Sequence, residues 1–250
     1  LGSLSSNITS QLRVLYLFHP VAWNCIQRPL NIDVSEKLLF SSCSIQHLTM
    51  KGIRLTPKMA QSISWIGKTL QILNLNNSSV AELSNPFVGK LSYLEDILKC
   101  CQELKEVNFN EVRGLCDSDL EDLVNNIPPN IEKLILSGLN LTHYHVKILL
   151  SRCNKIKALS LPGMWEPSVA LKNIQHYLNH TLEELSLTAN KIISETGILE
   201  LKSMPRLRSL KLLYKEDWTE AQKRGLDMIC QHLRQYLPHL TITTSFINSL

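Results

Sequence analysis

Few residues in this 250-residue chain could do chemistry by type and spacing. His143-x-His145 with Cys153 nearby invites a zinc reading, since imidazole and thiolate are favoured zinc donors. A closed zinc site needs four convergent ligands, however. The spacing puts the two histidines on differing sides of a helix start, and Cys153 fits an apolar stripe, so no metal is expected. Cys100-Cys101 could supply a nucleophile, but no motif places a histidine and an acid beside them. With only 9 glycines, the chain has no phosphate-cradling loop and no dinucleotide fingerprint, and no metalloprotease motif is present. The expectation is a protein without catalysis and without a cofactor.

Side chains suited to binding are easier to find. Trp165 and Trp218 fall in loops after strands, where a large aromatic acts either as a binding anchor or as loop packing. Tyr214 falls in the same loop as Trp218. Trp65 lies in a helical pattern and is expected in the core. Charge is uneven: residues 103–132 hold eight acids and two bases, whereas 202–215 hold Lys202, Arg206, Arg208, Lys211 and Lys215 and no acid. That basic run is either a solvated edge or a contact for a partner bearing carboxylate or phosphate groups.

The elements that position these residues follow a repeat. The signature apolar-x-x-apolar-x-apolar starts at Leu12, Ile45, Leu70, Leu104, Ile131, Ile156, Leu182, Leu207 and Leu237, at intervals of 33, 25, 34, 27, 25, 26, 25 and 30 residues. Each signature places two apolar side chains on one face of a short strand, and helical spacing follows it, as in Val146, Leu149, Leu150 and Cys153. Helix starts are marked by Thr56-Pro57, Ser118-x-x-Glu121, Thr142 and Thr219-x-x-Gln222. Asn190 stands where such repeats place an asparagine to bond the turning backbone. A period in the middle twenties with a helix in each return leg is a leucine-rich pattern. The expected fold is an α/β leucine-rich-repeat solenoid of about nine repeats, with a curved parallel sheet on the concave face and helices on the convex face. Residues 1–3 are expected to be a cloning scar, and 4–250 a single domain ending in a tail over 243–250.

On this register the residues between the inward leucines line the concave face. They include Asn74, Asn76, Asn108 and Asn110, then Ser137, Ser160, Glu184, Ser186 and Thr188, and finally Ser209 and Lys211. The central part is small and polar. The C-terminal end adds bulk and charge, so a protein or peptide partner, acidic or phosphorylated, is expected at repeats six to nine. Its contacts would be Trp165, Glu184, Ser186, Thr188, Ser209, Lys211, Tyr214 and Trp218. Tyr16 and Phe18 at the opposite end are the fallback.

Composition bounds the rest. Hydrophobic residues are 44% and charged residues 19%, an ordinary globular balance. A net charge of +4 is too small to point to nucleic acid, and no stretch is long and apolar enough for a membrane span. Seven cysteines, two of them adjacent, do not suggest a disulfide framework. The expected compartment is cytoplasmic or nuclear. Asn7, Asn77, Asn140 and Asn179 head glycosylation sequons, so an extracellular receptor would require these sites occupied and the cysteines paired.

The cysteines at the end of the helical legs (Cys101, Cys153) and the Leu141-Thr-x-x-x-Val146 helix start resemble the leucine-rich repeats of F-box proteins. Glu195-Thr-Gly-Ile-Leu-Glu-Leu201, Met204-Pro-Arg-Leu207 and Leu237-Pro-His-Leu240-Thr-Ile242 look like the closing repeats and tail of the S-phase kinase-associated branch of that family. The resemblance covers the layout of residues 45–250 and is specific over 195–250. It implies the substrate receptor of an SCF-type ubiquitin ligase, whose late repeats and tail engage partners. It also implies a ligase adaptor bound through an F-box, which is not visible in this chain. The alternative is a leucine-rich scaffold or regulator with no ubiquitin role.

Overall fold

Leu134 and Leu136 are two residues apart in an extended segment, so their side chains leave the same face, and both are fully buried. Lys133 and Ile135, on either side of Leu134, face outward, exposed and half-buried respectively. The same alternation recurs throughout the computed structural model, which describes residues 11–18, 39, 44–80, 93–164, 167–188, 195–215 and 217–247. The fold is α/β, with parallel strands and connecting helices in two compact units that divide in sequence between Ile131 and Glu132.

The first unit holds β1 (Val14–Phe18), β2 (His47–Lys51), β3 (Ile72–Asn74) and β4 (Glu106–Asn108). They pair in chain order, all parallel, with Val14, His47, Ile72 and Glu106 in one row. Parallel neighbours require crossovers. Those seen in this unit contain α1 (Pro57–Ile66) and α2 (Tyr93–Cys100), and α3 (Asp117–Asn126) follows β4. The second unit holds β5 (Lys133–Ile135), β6 (Ala158–Ser160), β7 (Glu184–Thr188), β8 (Ser209–Lys215) and β9 (Thr241–Ile247). Its row runs Lys133, Ala158, Glu184, Ser209, Thr241, one residue before the apolar row Leu134, Leu159, Leu185, Leu210, Ile242. Its helices are α4 (His143–Arg152), α5 (Pro167–Leu178), α6 (Glu195–Leu199) with a 3-10 turn over Glu200–Ser203, and α7 (Glu220–Tyr236).

Every strand signature within the described residues falls where the spacing predicts, and so do three helix starts. Thr56 accepts from the Met59 N–H at 3.1 Å, and Thr219 and Gln222 cap each other reciprocally. Thr142 caps α4 with an unusual partner: its N–H donates to His145 Nδ1 at 3.2 Å. The imidazole stands where a capping box has a carboxylate, and accepting at Nδ1 puts the ring proton on Nε2.

Three expectations are corrected. Helix α3 starts two residues earlier than Ser118–Glu121 implies: its cap is Cys116, whose N–H donates to Asp119 Oδ2 at 2.9 Å. Asp119 reaches back to the cap and Glu121 does not. Trp65 is 72% exposed, because the buried stripe of α1 runs through Met59, Ile63 and Ile66, and Trp65 falls off that stripe. The segment expected as a tail from Thr243 is strand through Ile247, since β9 continues in register with β8. Asn190 lies outside the described residues.

One feature repeats that composition concealed. The residue five positions after the start of a strand has left-handed backbone at Gly52 (φ 68°), Asn77 (57°), Glu111 (54°), Gly138 (76°) and Gly163 (87°). There the chain leaves the strand, and N–H groups reach the segment that follows the next strand: Gly52 to Asn76 O, Asn77 to Asn110 O and Gly138 to Pro162 O, at 2.9–3.0 Å. The helix side closes by near contact. A Cβ on Gly67 would stand 2.7 Å from the Cys100 carbonyl oxygen.

Candidate functional site

The register of β7, β8 and β9 decides which predicted residues meet. Glu184, Ser209 and Thr241 form one row across the three strands, Ser186, Lys211 and Thr243 the next, and Thr188, Leu213 and Ser245 a third. Strand alternation puts all of these on the open face, with Leu185, Leu187, Leu210 and Leu212 buried on the other. Five of the predicted residues, Glu184, Ser186, Thr188, Ser209 and Lys211, therefore share one surface. Glu184 and Lys211 are exposed, and the three hydroxyl residues are half-buried. Lys211 stands between the Ser186 and Thr243 hydroxyls with no acid in its row. Thr188 has a local duty, because its Oγ1 accepts the Gly163 N–H at 2.8 Å.

Tyr214 and Trp218 also meet, but elsewhere. Their ring centroids are 5.6 Å apart and tilted by 34°. Tyr214 is not in a loop. It is the sixth residue of β8, with the parity of Leu210 and Leu212, so it leaves the face opposite Lys211 and stands in register with Phe246. The predicted site is thus divided across the two faces of β8. Trp165 lies outside the described residues.

The basic run is also divided. The residue preceding each strand forms a row of alternating sign, Glu132, Lys157, Glu183, Arg208, tied by backbone hydrogen bonds of 2.7–2.8 Å. Lys157 Nζ donates to Glu132 at 2.6 Å, and that bond holds its ammonium above the usual pKa. Lys202 Nζ lies 5.7 Å over the Tyr236 ring. Folding places Glu183 beside Arg208, which the linear sequence does not. On the open face of β8, Lys211 is the cation of the row.

Cys101, Cys153 and Cys230 are buried and behave as apolar packing, whereas Cys100 and Cys116 are exposed. Burial pushes the Cys101 thiol to about 12 and the Cys153 thiol to about 11, so neither is a ready nucleophile. Cys230 is likewise raised to about 11, mainly by burial. His145 is buried at its cap, and among the described residues no group of three or more metal-ligating side chains converges. No helix among the described residues is long and apolar enough to cross a membrane.

One extension of the site is missed from the sequence, whereas the fallback pair at the other end is named there. Thr243, Ser245 and Phe246 extend the site onto β9, and the β-branched run Thr241-Ile-Thr-Thr was the available signal. At the other end of the chain, the Tyr16 and Phe18 rings stack at 6.1 Å, both about half exposed, with His47 edge-on to Tyr16 at 5.1 Å. No family model matches the chain, and no curated protein matches it.

Proposed function

We propose that the chain is a leucine-rich-repeat solenoid serving as a non-catalytic protein-recognition module, the substrate-binding part of an SCF-type ubiquitin ligase receptor. The solenoid reading is supported by parallel strands in chain order, by one apolar register kept from repeat to repeat, and by the recurring left-handed exit residue. The recognition reading is carried by Lys211, an exposed cation set among hydroxyls on the open face of β7–β9. Such a surface offers charge-assisted and neutral hydrogen bonds to carboxylate or phosphate groups without an acid in the row to repel them. The ligase role rests on the resemblance of residues 195–250. Its mechanism is proximity: the module holds a target while a separate core transfers ubiquitin.

Proximity labelling in cells, followed by mass spectrometry of ubiquitin-modified peptides, tests the reading. Wild type and a Lys211→Glu, Trp218→Ala double variant are compared after matching their melting temperatures. The expected result is a small set of proteins that lose both labelling and ubiquitin modification in the variant. Identical sets would overturn the reading, and a labelled set unmodified by ubiquitin would leave a scaffold.

A further inference from the structure

The open end of the second unit's sheet resolves the division of the site. In a parallel ladder, successive residues direct their N–H and C=O groups to alternate sides. The Thr241 N–H donates to Arg208 O at 2.9 Å, so Thr241, Thr243 and Ser245 turn their backbone toward β8. Ile242, Thr244 and Phe246 must therefore turn theirs away. The Ile242 carbonyl accepts Arg234 Nη2 at 3.3 Å. β9 ends the strand order, and among the described residues nothing pairs with the outward groups of Thr244 and Phe246.

Natural edges are usually blunted by charge, proline or a bulge, because a free edge pairs with other chains. β9 reads Thr-Ile-Thr-Thr-Ser-Phe-Ile, with none of these, and pairs with β8 along all seven residues. Phe246 is 57% exposed. The surroundings are basic: Arg234 touches the edge and Lys211 lies one strand in, and no acid occurs from Met228 to Ile247.

We propose that β9 is a docking strand, to whose free edge an extended acidic segment of a partner protein adds by main-chain hydrogen bonding. This rests on the reading of the β7–β9 end as a recognition surface and says how the partner is held. The side chains of an added strand alternate between faces. One set extends the face of Lys211, two strand spacings or about 10 Å away, within the range of unscreened charge at moderate salt. The other set extends the face of Phe246 and Tyr214. A single extended segment thus meets both halves of the divided site. A second copy of this chain is disfavoured as the occupant, because edge-to-edge pairing brings Arg234 and Lys211 of one copy toward those of the other.

The test uses the whole chain and a seven-residue probe, acetyl-Thr-Glu-Val-Glu-Val-Glu-Thr-amide, read by fluorescence anisotropy at low and high salt. The outward Thr244 N–H makes Thr244→Pro compatible with β9, since no bond to β8 is lost. The expected results are binding that weakens with salt and at least a tenfold loss in Thr244→Pro at an unchanged melting temperature. A probe N-methylated at alternate residues should lose as much on the unaltered protein, which keeps the test sound if the variant misfolds. Equal affinity for the N-methylated probe overturns the proposal, as does absence of binding. Loss in Lys211→Glu with wild-type affinity in Thr244→Pro overturns the docking strand alone and leaves the recognition surface standing. Self-association in sedimentation that Thr244→Pro abolishes would assign the edge to a second copy.

Discussion

Glu111 occupies, at φ 54°, the exit position that Gly52, Gly138 and Gly163 fill elsewhere. A non-glycine residue in left-handed backbone is strained by about 1–2 kcal/mol. Replacing it by glycine removes that strain but loosens the unfolded chain, an opposing effect of about 0.5–1 kcal/mol. Glu111→Gly should therefore stabilise the protein by about 0.5–1 kcal/mol. Glu111→Ala should bring no such gain, because alanine keeps the Cβ. Gly138→Ala should impose the strain in reverse and, net of the same unfolded-chain effect, destabilise by about 0.5–1 kcal/mol. Urea unfolding at neutral pH, comparing midpoints at constant slope, reads all three. If Glu111→Gly is destabilising, or if it matches Glu111→Ala, the left-handed exit is not a strained position and the reasoning fails.

Leu134→Ala and Leu185→Ala truncate side chains that are 0% and 2% exposed, and each should cost about 2–5 kcal/mol and broaden or split the thermal transition. Unchanged melts would contradict the strand register. Gly67→Ala should cost about 1–3 kcal/mol by calorimetry, because the Cys100 carbonyl that its Cβ meets is backbone and yields little. Alkaline pH should destabilise the fold. Burial raises Cys101, Cys153 and Cys230 from 9.0 to about 12, 11 and 11, so between pH 9 and 11 the unfolded chain releases protons that the folded chain keeps. Their stabilisation is complete below pH 9 and falls by at most about 1.4 kcal/mol per thiol per pH unit above it. Urea midpoints from pH 8 to 11 should decline, and more gently in Cys153→Ala.

The strand positions were legible because a leucine-rich signature fixes both parity and period: Leu134, Leu159, Leu185 and Leu210 fall in one row. The caps at Thr56, Thr142 and Thr219 were legible because the capping oxygen is local. What was not legible is set by neighbours far apart in sequence. Tyr214 changed from loop to strand because β9 extends β8 by pairing, and nothing within residues 214–218 signals that. Arg208 looked like part of a basic run until Glu183, 25 residues earlier, came beside it. Trp65 lay in a helical pattern, but only its place relative to Met59, Ile63 and Ile66 shows that it faces out.

Recognition of an acidic segment at the β7–β9 end is read residue by residue from amide chemical shifts of the isotope-labelled chain. The acidic probe is added at low salt, and a lysine-for-glutamate version of it serves as the control. Dose-dependent shifts are expected, confined to residues around Ser186, Lys211, Thr243, Thr244 and Phe246, with none for the lysine probe. Shifts centred on the stacked Tyr16 and Phe18, or equal shifts from both probes, would contradict this recognition.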